Sequence, residues 1–162
     1  MAGARTGQQA EIRARRVGRR LALAAVFEAE FGQHTAGAIL ERHLADFGGD
    51  TETATFARRL VQVVVDRREE IDALISRTAP RYPVVQLAKM DRALLRCAIG
   101  EVLHSATTPA RVAIAEWVEL ARTYSGDPTR RLMNGVLGRI ANEAVTEPDR
   151  PAARTAEDRP GG

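Results

Sequence analysis

One long apolar period constrains this chain more than any other feature. Between Thr53 and Thr78, Phe56, Leu60, Val63, Val64, Ile71, Leu74 and Ile75 recur at helical spacing. The segment Val61–Val65 is rich in β-branched residues. Strands rarely exceed about ten residues, however, so the length of the period decides for helix. A helix with one apolar face must bury it on a neighbour, and the remaining patterns in the chain are helical too. Thr53 is placed as the N-cap of this helix. Pro80 and Pro83 end the pattern and mark a joint.

Other periods flank it. A helix is expected from about Gln9 to Phe31, with Val17, Leu21, Ala24, Phe27 and Phe31 as its apolar stripe and Gly32 as its stop. A weaker one covers Thr35 to Phe47, with Ile39, Leu40, Leu44 and Phe47 facing inward, and ends at Gly48-Gly49-Asp50. After the joint come a short turn at Val84–Ala88 and a helix with Asp91 near its N-terminus. Two more helices follow, at about Ala110–Thr123 and Thr129–Ala144. Asp127-Pro128-Thr129 suits a helix start. The Asn134-Gly135 pair sits inside the last period, although such a pair favours a hairpin turn, so packing must override local preference there. No segment alternates with period two for long enough to make a strand.

The expected fold is therefore all-α, with six to seven helices in two packed antiparallel bundles. The bundles are expected at about residues 10–79 and 84–145, within one helical domain at 10–145. Residues 1–9 are small and polar, and residues 146–162 combine Pro, Gly and charge without an apolar period; both are expected to be disordered. Only 4% of residues are aromatic, so aliphatic side chains must fill the core. No apolar run approaches the ~20 residues of a membrane span. The N-terminus lacks the apolar stretch of a secretory signal. The one cysteine, Cys97, lies in an apolar period and reads as a buried, inert thiol, which suits a reducing compartment and a cytoplasmic location.

Charge is distributed unevenly. Residues 1–20 hold Arg5, Arg13, Arg15, Arg16, Arg19 and Arg20 against the single acid Glu11, a balance of +5, while the rest of the chain is −2. At ~100° per residue, Arg13, Arg16 and Arg20 form one stripe and Arg15 and Arg19 another. Guanidinium groups donate paired hydrogen bonds to phosphates and stack on bases, so the cluster suits a polyanion. A solvated helix end with no ligand is the competing reading. So many cations near a helix N-terminus oppose the macrodipole, which favours a functional reason for them. Arg130 and Arg131, beside Asp127 and Thr129, form a second basic patch, where a plain connecting turn is again the alternative.

Other chemistry finds little support. His34, His43 and His104 are far apart, with no Cys or carboxylate at ligand spacing, so no metal site is expected. No nucleophile elbow, P-loop or dinucleotide-binding glycine motif is present. Glu116 and Glu119 share a helix face but read as solvated, and Trp117 between them suits either the core or a partner anchor.

The segments Met90–His104 (MDRALLRCAIGEVLH) and Pro109–Leu137 (PARVAIAEWVELARTYSGDPTRRLMNGVL) resemble the NusB family of bacterial transcription antitermination factors. The similarity runs from about Arg15 to Glu143 and is best at Asp91–Leu103 and Val112–Gly138. It implies two three-helix subdomains, no catalysis and no cofactor. It implies binding to the boxA element of ribosomal RNA leaders with a small-subunit ribosomal protein, NusE, and assembly with RNA polymerase to promote ribosomal RNA transcription. By position, Arg15, Arg16 and Arg19 take the family's RNA-contacting places, joined in the RNA set by Arg13, Arg20, Asp127, Thr129, Arg130 and Arg131. Phe27, commonly tyrosine in the family, and Asp91 take places facing the partner. Pro128, Leu132, Gly100 and Ala115 depart from the family's acid, two aromatics and asparagine. NusB-like domains also occur fused to ribosomal RNA methyltransferases, but no such module is expected within these 162 residues. A helical interaction module, or a homodimer without direct RNA binding, stands as the alternative.

Overall fold

The computed structural model describes residues 2–146. Its elements are α1 (Ala2–Ala29), α2 (Ala36–Phe47), α3 (Thr51–Asp66), α4 (Arg68–Thr78), a 3-10 turn (Val84–Gln86), α5 (Lys89–His104), α6 (Ala110–Tyr124) and α7 (Asp127–Thr146). The all-α expectation holds, and the described residues contain no strand. Apart from Thr146, the expected C-terminal tail lies outside the described residues.

The interior is built around α5. Residues Ala93 to Glu101 are all buried, so this helix is enclosed on every side. It packs against α1 and α3 on one flank and α6 and α7 on the other, with α4 closing the gap. Leu94, Leu95, Ile99, Ile71, Met133 and Trp117 are fully buried around it. Arg19 pairs with Glu101, and Glu30 with Arg92, so α1 runs antiparallel to α5.

Local chemistry explains most helix ends. The Thr35 side chain caps α2 by accepting from the Ala38 N–H, and Gly48 closes that helix with a left-handed φ of 61°. Asp50, rather than Thr53, caps α3; its Oδ1 accepts from the Thr53 N–H at 2.7 Å, and Thr53 itself is buried. That backbone hydrogen bond holds the Asp50 carboxyl below its ordinary value. Helix α7 starts at Asp127, two residues before the expected Thr129, after Gly126 at a φ of 124°.

Further expectations need correction. First, residues 2–9 are helical rather than disordered, and they extend α1 into solvent with every side chain exposed. Propagation from an established helix is cheap, so a short polar stretch can follow it without any packing. Second, the period from Thr53 to Thr78 is two helices, broken at Arg67 (φ −107°, ψ 14°). No proline or glycine marks the break. Residues 65–70 are exposed, so nothing local resists a bend that carries Ile71 and Ile75 onto the core. Third, α4 packs on α5 and α7 as well as on α3, so it bridges the two expected bundles rather than lying within the first alone.

Fourth, the buried face of α1 is not the expected stripe. It centres on Ala14, Gly18, Ala22, Leu23, Ala25 and Val26, while Phe31 is 58% exposed. Small residues let α3 come close: a Cβ on Gly18 would sit 2.8 Å from Phe56 Cδ1 and 3.3 Å from the Thr53 carbonyl oxygen. Phe47, also expected inside, is 53% exposed.

Candidate nucleic-acid interface

The two arginine stripes of α1 face different surroundings. Arg13 and Arg20 point to solvent without a partner among the described residues. Arg16 lies between them, exposed, with Nη2 3.0 Å from Glu116 Oε1. That carboxylate raises the Arg16 pKa further, so the cation persists at every physiological pH. Arg5 falls close to the same stripe at 100° per residue and is also exposed. Together they form an outward basic face.

The other stripe turns inward. Arg19 is 3% exposed and grips Glu101 with two hydrogen bonds, Nε to Oε1 and Nη2 to Oε2, each 2.7 Å. Trp117 donates its Nε1–H to the same Oε1 at 2.8 Å, which settles that tryptophan as core. Arg19 Nη1 lies 3.8 Å from Glu116 Oε2, and its guanidinium sits 5.2 Å from the centre of the Phe56 ring. Enclosed in this way, its guanidinium is out of reach of a phosphate in solvent, so Arg19 is corrected from an RNA contact to a structural ion pair. The reason is Glu101: an acid inside the apolar run around Ile99 must find a cation to be buried at all. Arg15 is intermediate. It pairs with Glu11 at 2.7 Å, lies 3.5 Å from the Thr107 carbonyl oxygen and packs over Phe56.

With α1 beginning at Ala2, Arg13 to Arg20 lie several turns into the helix, beyond the reach of the terminal dipole. Their placement is not electrostatically costly in the way expected.

The second basic patch lies elsewhere. Asp127 pairs with Arg130 at 3.1 Å, Arg131 is exposed, and Thr129 is buried with its hydroxyl 2.9 Å from that of Ser125. Ser125 also donates to Asp91 at the N-terminus of α5. Thr129 and Asp91 thus hold the α6–α7 turn onto α5. Arg19, by contrast, meets α5 near its C-terminus, and a helix of sixteen residues spans about 24 Å. The two basic patches sit towards opposite ends of α5.

Phe27 lies at the Asp91 end, edge-on to Phe31 with ring centres 5.4 Å apart, and Lys89 Nζ lies 4.8 Å from the Phe31 ring. Nearby, Glu30 bridges Arg92 and Arg96, and Arg96 also binds Asp72. Burial would raise the Glu30 pKa, but the bond from Arg92 and both positive charges hold it below the ordinary carboxylate value. Cys97 is fully buried, and its desolvation pushes the thiol far above its ordinary pKa. No group of His, Cys, Asp and Glu suited to a metal occurs among the described residues.

A groove of about 920 Å³ opens beside the inward arginines, between α3 and the C-terminal end of α5. Phe56, Leu60, Val63 and Gly100 line it, with Arg15, Arg59 and Arg67 also along it. The sequence gives no local sign of this groove.

Comparison with known proteins places this arrangement in a wider set. The family model described as "NusB family" matches residues 16–142. A transcription antitermination protein NusB from Dehalococcoides mccartyi is 37% identical over 127 residues, covering 78% of this chain and 89% of that protein. The T. maritima NusB structure superposes with a TM-score of 0.74 at 34% identity, covering 80% of this chain and 91% of that one. A structure described as antitermination factors NusB and NusE in complex with dsRNA shares the fold, with a TM-score of 0.72 at 22% identity over 81% of this chain and 98% of that one. With the helix order, the enclosed α5 and a match across most of its length, this chain belongs to the NusB family.

Proposed function

We propose that this chain is an RNA-binding transcription antitermination factor that binds boxA-type leader RNA together with ribosomal protein NusE. In this reading it promotes ribosomal RNA transcription within the RNA polymerase complex, works in the cytoplasm and catalyses no reaction. The observation that carries the reading is the outward face of α1, where Arg5, Arg13, Arg16 and Arg20 stand exposed on one side of the helix. Relatives named as antitermination proteins, and a structural neighbour described as a NusB–NusE–dsRNA complex, support it. No helix among the described residues is long and apolar enough to cross a membrane.

The face works as an electrostatic track. Each phosphate it neutralises on a single strand steepens the salt dependence by about 0.7 log unit in affinity per log unit of salt. Arg131, at the far end of α5, extends the track only if a strand runs along the molecule. Phe27 and Asp91 lie at that same end and form the proposed contact with NusE.

The test measures binding to a short boxA-type leader RNA at several ionic strengths, with and without NusE. Wild-type affinity is expected to fall steeply with salt and to rise when NusE is added. Changing Arg13, Arg16 and Arg20 together to Ala is expected to flatten the salt slope by about 2, three contacts at ~0.7 each. Binding that ignores salt, or no binding with NusE present, overturns the reading.

A further inference from the structure

We propose that the groove between α3 and the C-terminal end of α5 receives one unstacked nucleobase of the bound RNA. This rests on the RNA reading above and adds a site that the outward arginine face does not contain. At about 920 Å³ the groove lies within the roughly 300–1,000 Å³ typical of small-ligand sites. Its floor is apolar and partly aromatic: the Phe56 ring, with Leu60 and Val63. Gly100 adds no side chain to it, although a Cβ there would come within 3.3 Å of Val63 Cγ1.

The borders carry the opposite character. Arg15, Arg59 and Arg67 line the groove against Glu52 and Asp66, and Glu101 is already held by Arg19. Arg59 is exposed and has no partner among the described residues. Asp66 already accepts from Gln62 at 2.8 Å. His104 lines the same groove, with its Nε2 buried 3.5 Å from Glu70 Oε1, a residue outside the groove lining.

An apolar slot with cations around it fits one occupant best. A nucleobase has a flat face to lie on the apolar lining beside Phe56, Leu60 and Val63, and it arrives attached to a phosphate that Arg15 or Arg59 can hold. An aliphatic side chain from a protein would leave the cations unused. Arg15 links the groove to the arginine helix, because its guanidinium reaches the Thr107 carbonyl beside the groove while its backbone adjoins Arg16.

The experiment uses the full chain and a boxA-type leader RNA. Single abasic substitutions are walked along the strand, and 4-thiouridine is placed at the position most sensitive to base removal. The expected result is a loss of roughly five- to 150-fold at one position, the range for one stacked base, with photocrosslinks from that position in α3 or at His104. Thr55 is exposed on the groove lining, so Thr55→Trp fills the slot without entering the core. It is expected to abolish the sensitivity to that one base and to leave the salt slope unchanged. If RNA binds with its salt slope intact but crosslinks only to α1, or if Thr55→Trp changes nothing, the groove proposal fails and the RNA reading stands. If Thr55→Trp instead abolishes self-association while RNA binding is retained, the groove is a contact between copies and the proposal also fails. If no RNA binds, both fall together.

Discussion

Arg16 and Arg19, three positions apart on one helix, carry the same charge into different roles. Arg16 is half in water against Glu116, where an exposed pair contributes at most about 1 kcal/mol. Arg19 is enclosed with Glu101 and Trp117, so truncating it strands a buried carboxylate. We expect Arg19→Ala to cost about 3–5 kcal/mol, and Arg16→Ala less than about 1 kcal/mol, measured as urea midpoints. Equal effects would refute the buried pair. Sequence periodicity separated these arginines into two stripes, but it could not say which stripe faced inward, because the sign of a helix face depends on its neighbours. Glu101 was the available signal: an acid within the apolar period of α5 announces a buried cation. Cys97 was readable because a thiol among aliphatic residues needs no partner.

At the level of single helices, the clearest consequence concerns the ion cluster joining α1, α4 and α5. Glu30 is bonded by Arg92 and Arg96, and Asp72 by Arg96. Because the folded Glu30 pKa is depressed, its contribution is complete above the ordinary carboxylate value and is lost as pH falls through the depressed value. Wild-type stability is expected to drop on acidification, and Glu30→Gln to show a shallower drop from a lower starting point, in denaturant titrations at neutral and acid pH. An unchanged slope would exclude Glu30 as a contributor. Helix positions were legible where caps and breakers are local, as at Thr35, Gly48 and Asp127. The break at Arg67 was not, since the apolar rhythm continues through it and only the position of α5 and α7 bends the chain. The close approach of α3 to Gly18 also escaped, because a search for large apolar residues overlooks the small ones that make contact possible.

On the scale of the whole molecule, α5 prevents the two bundles from behaving separately. It packs against α1 and α3 and also against α6 and α7. Unfolding is therefore expected to be a single transition, with Trp117 fluorescence and far-ultraviolet circular dichroism coincident. Leu95→Ala, in the centre of α5, is expected to lower both curves together by about 2–5 kcal/mol. Two separated transitions would show that α1–α3 stands alone. The Arg19–Glu101 pair crosses this same packing and has a consequence over generations. Outward arginines can be exchanged for lysine or shifted by a turn with graded loss, so lineages can retune them one at a time. Neither member of the enclosed pair can mutate first without penalty, so across descendants Arg19 and Glu101 should be inherited or replaced as a couple.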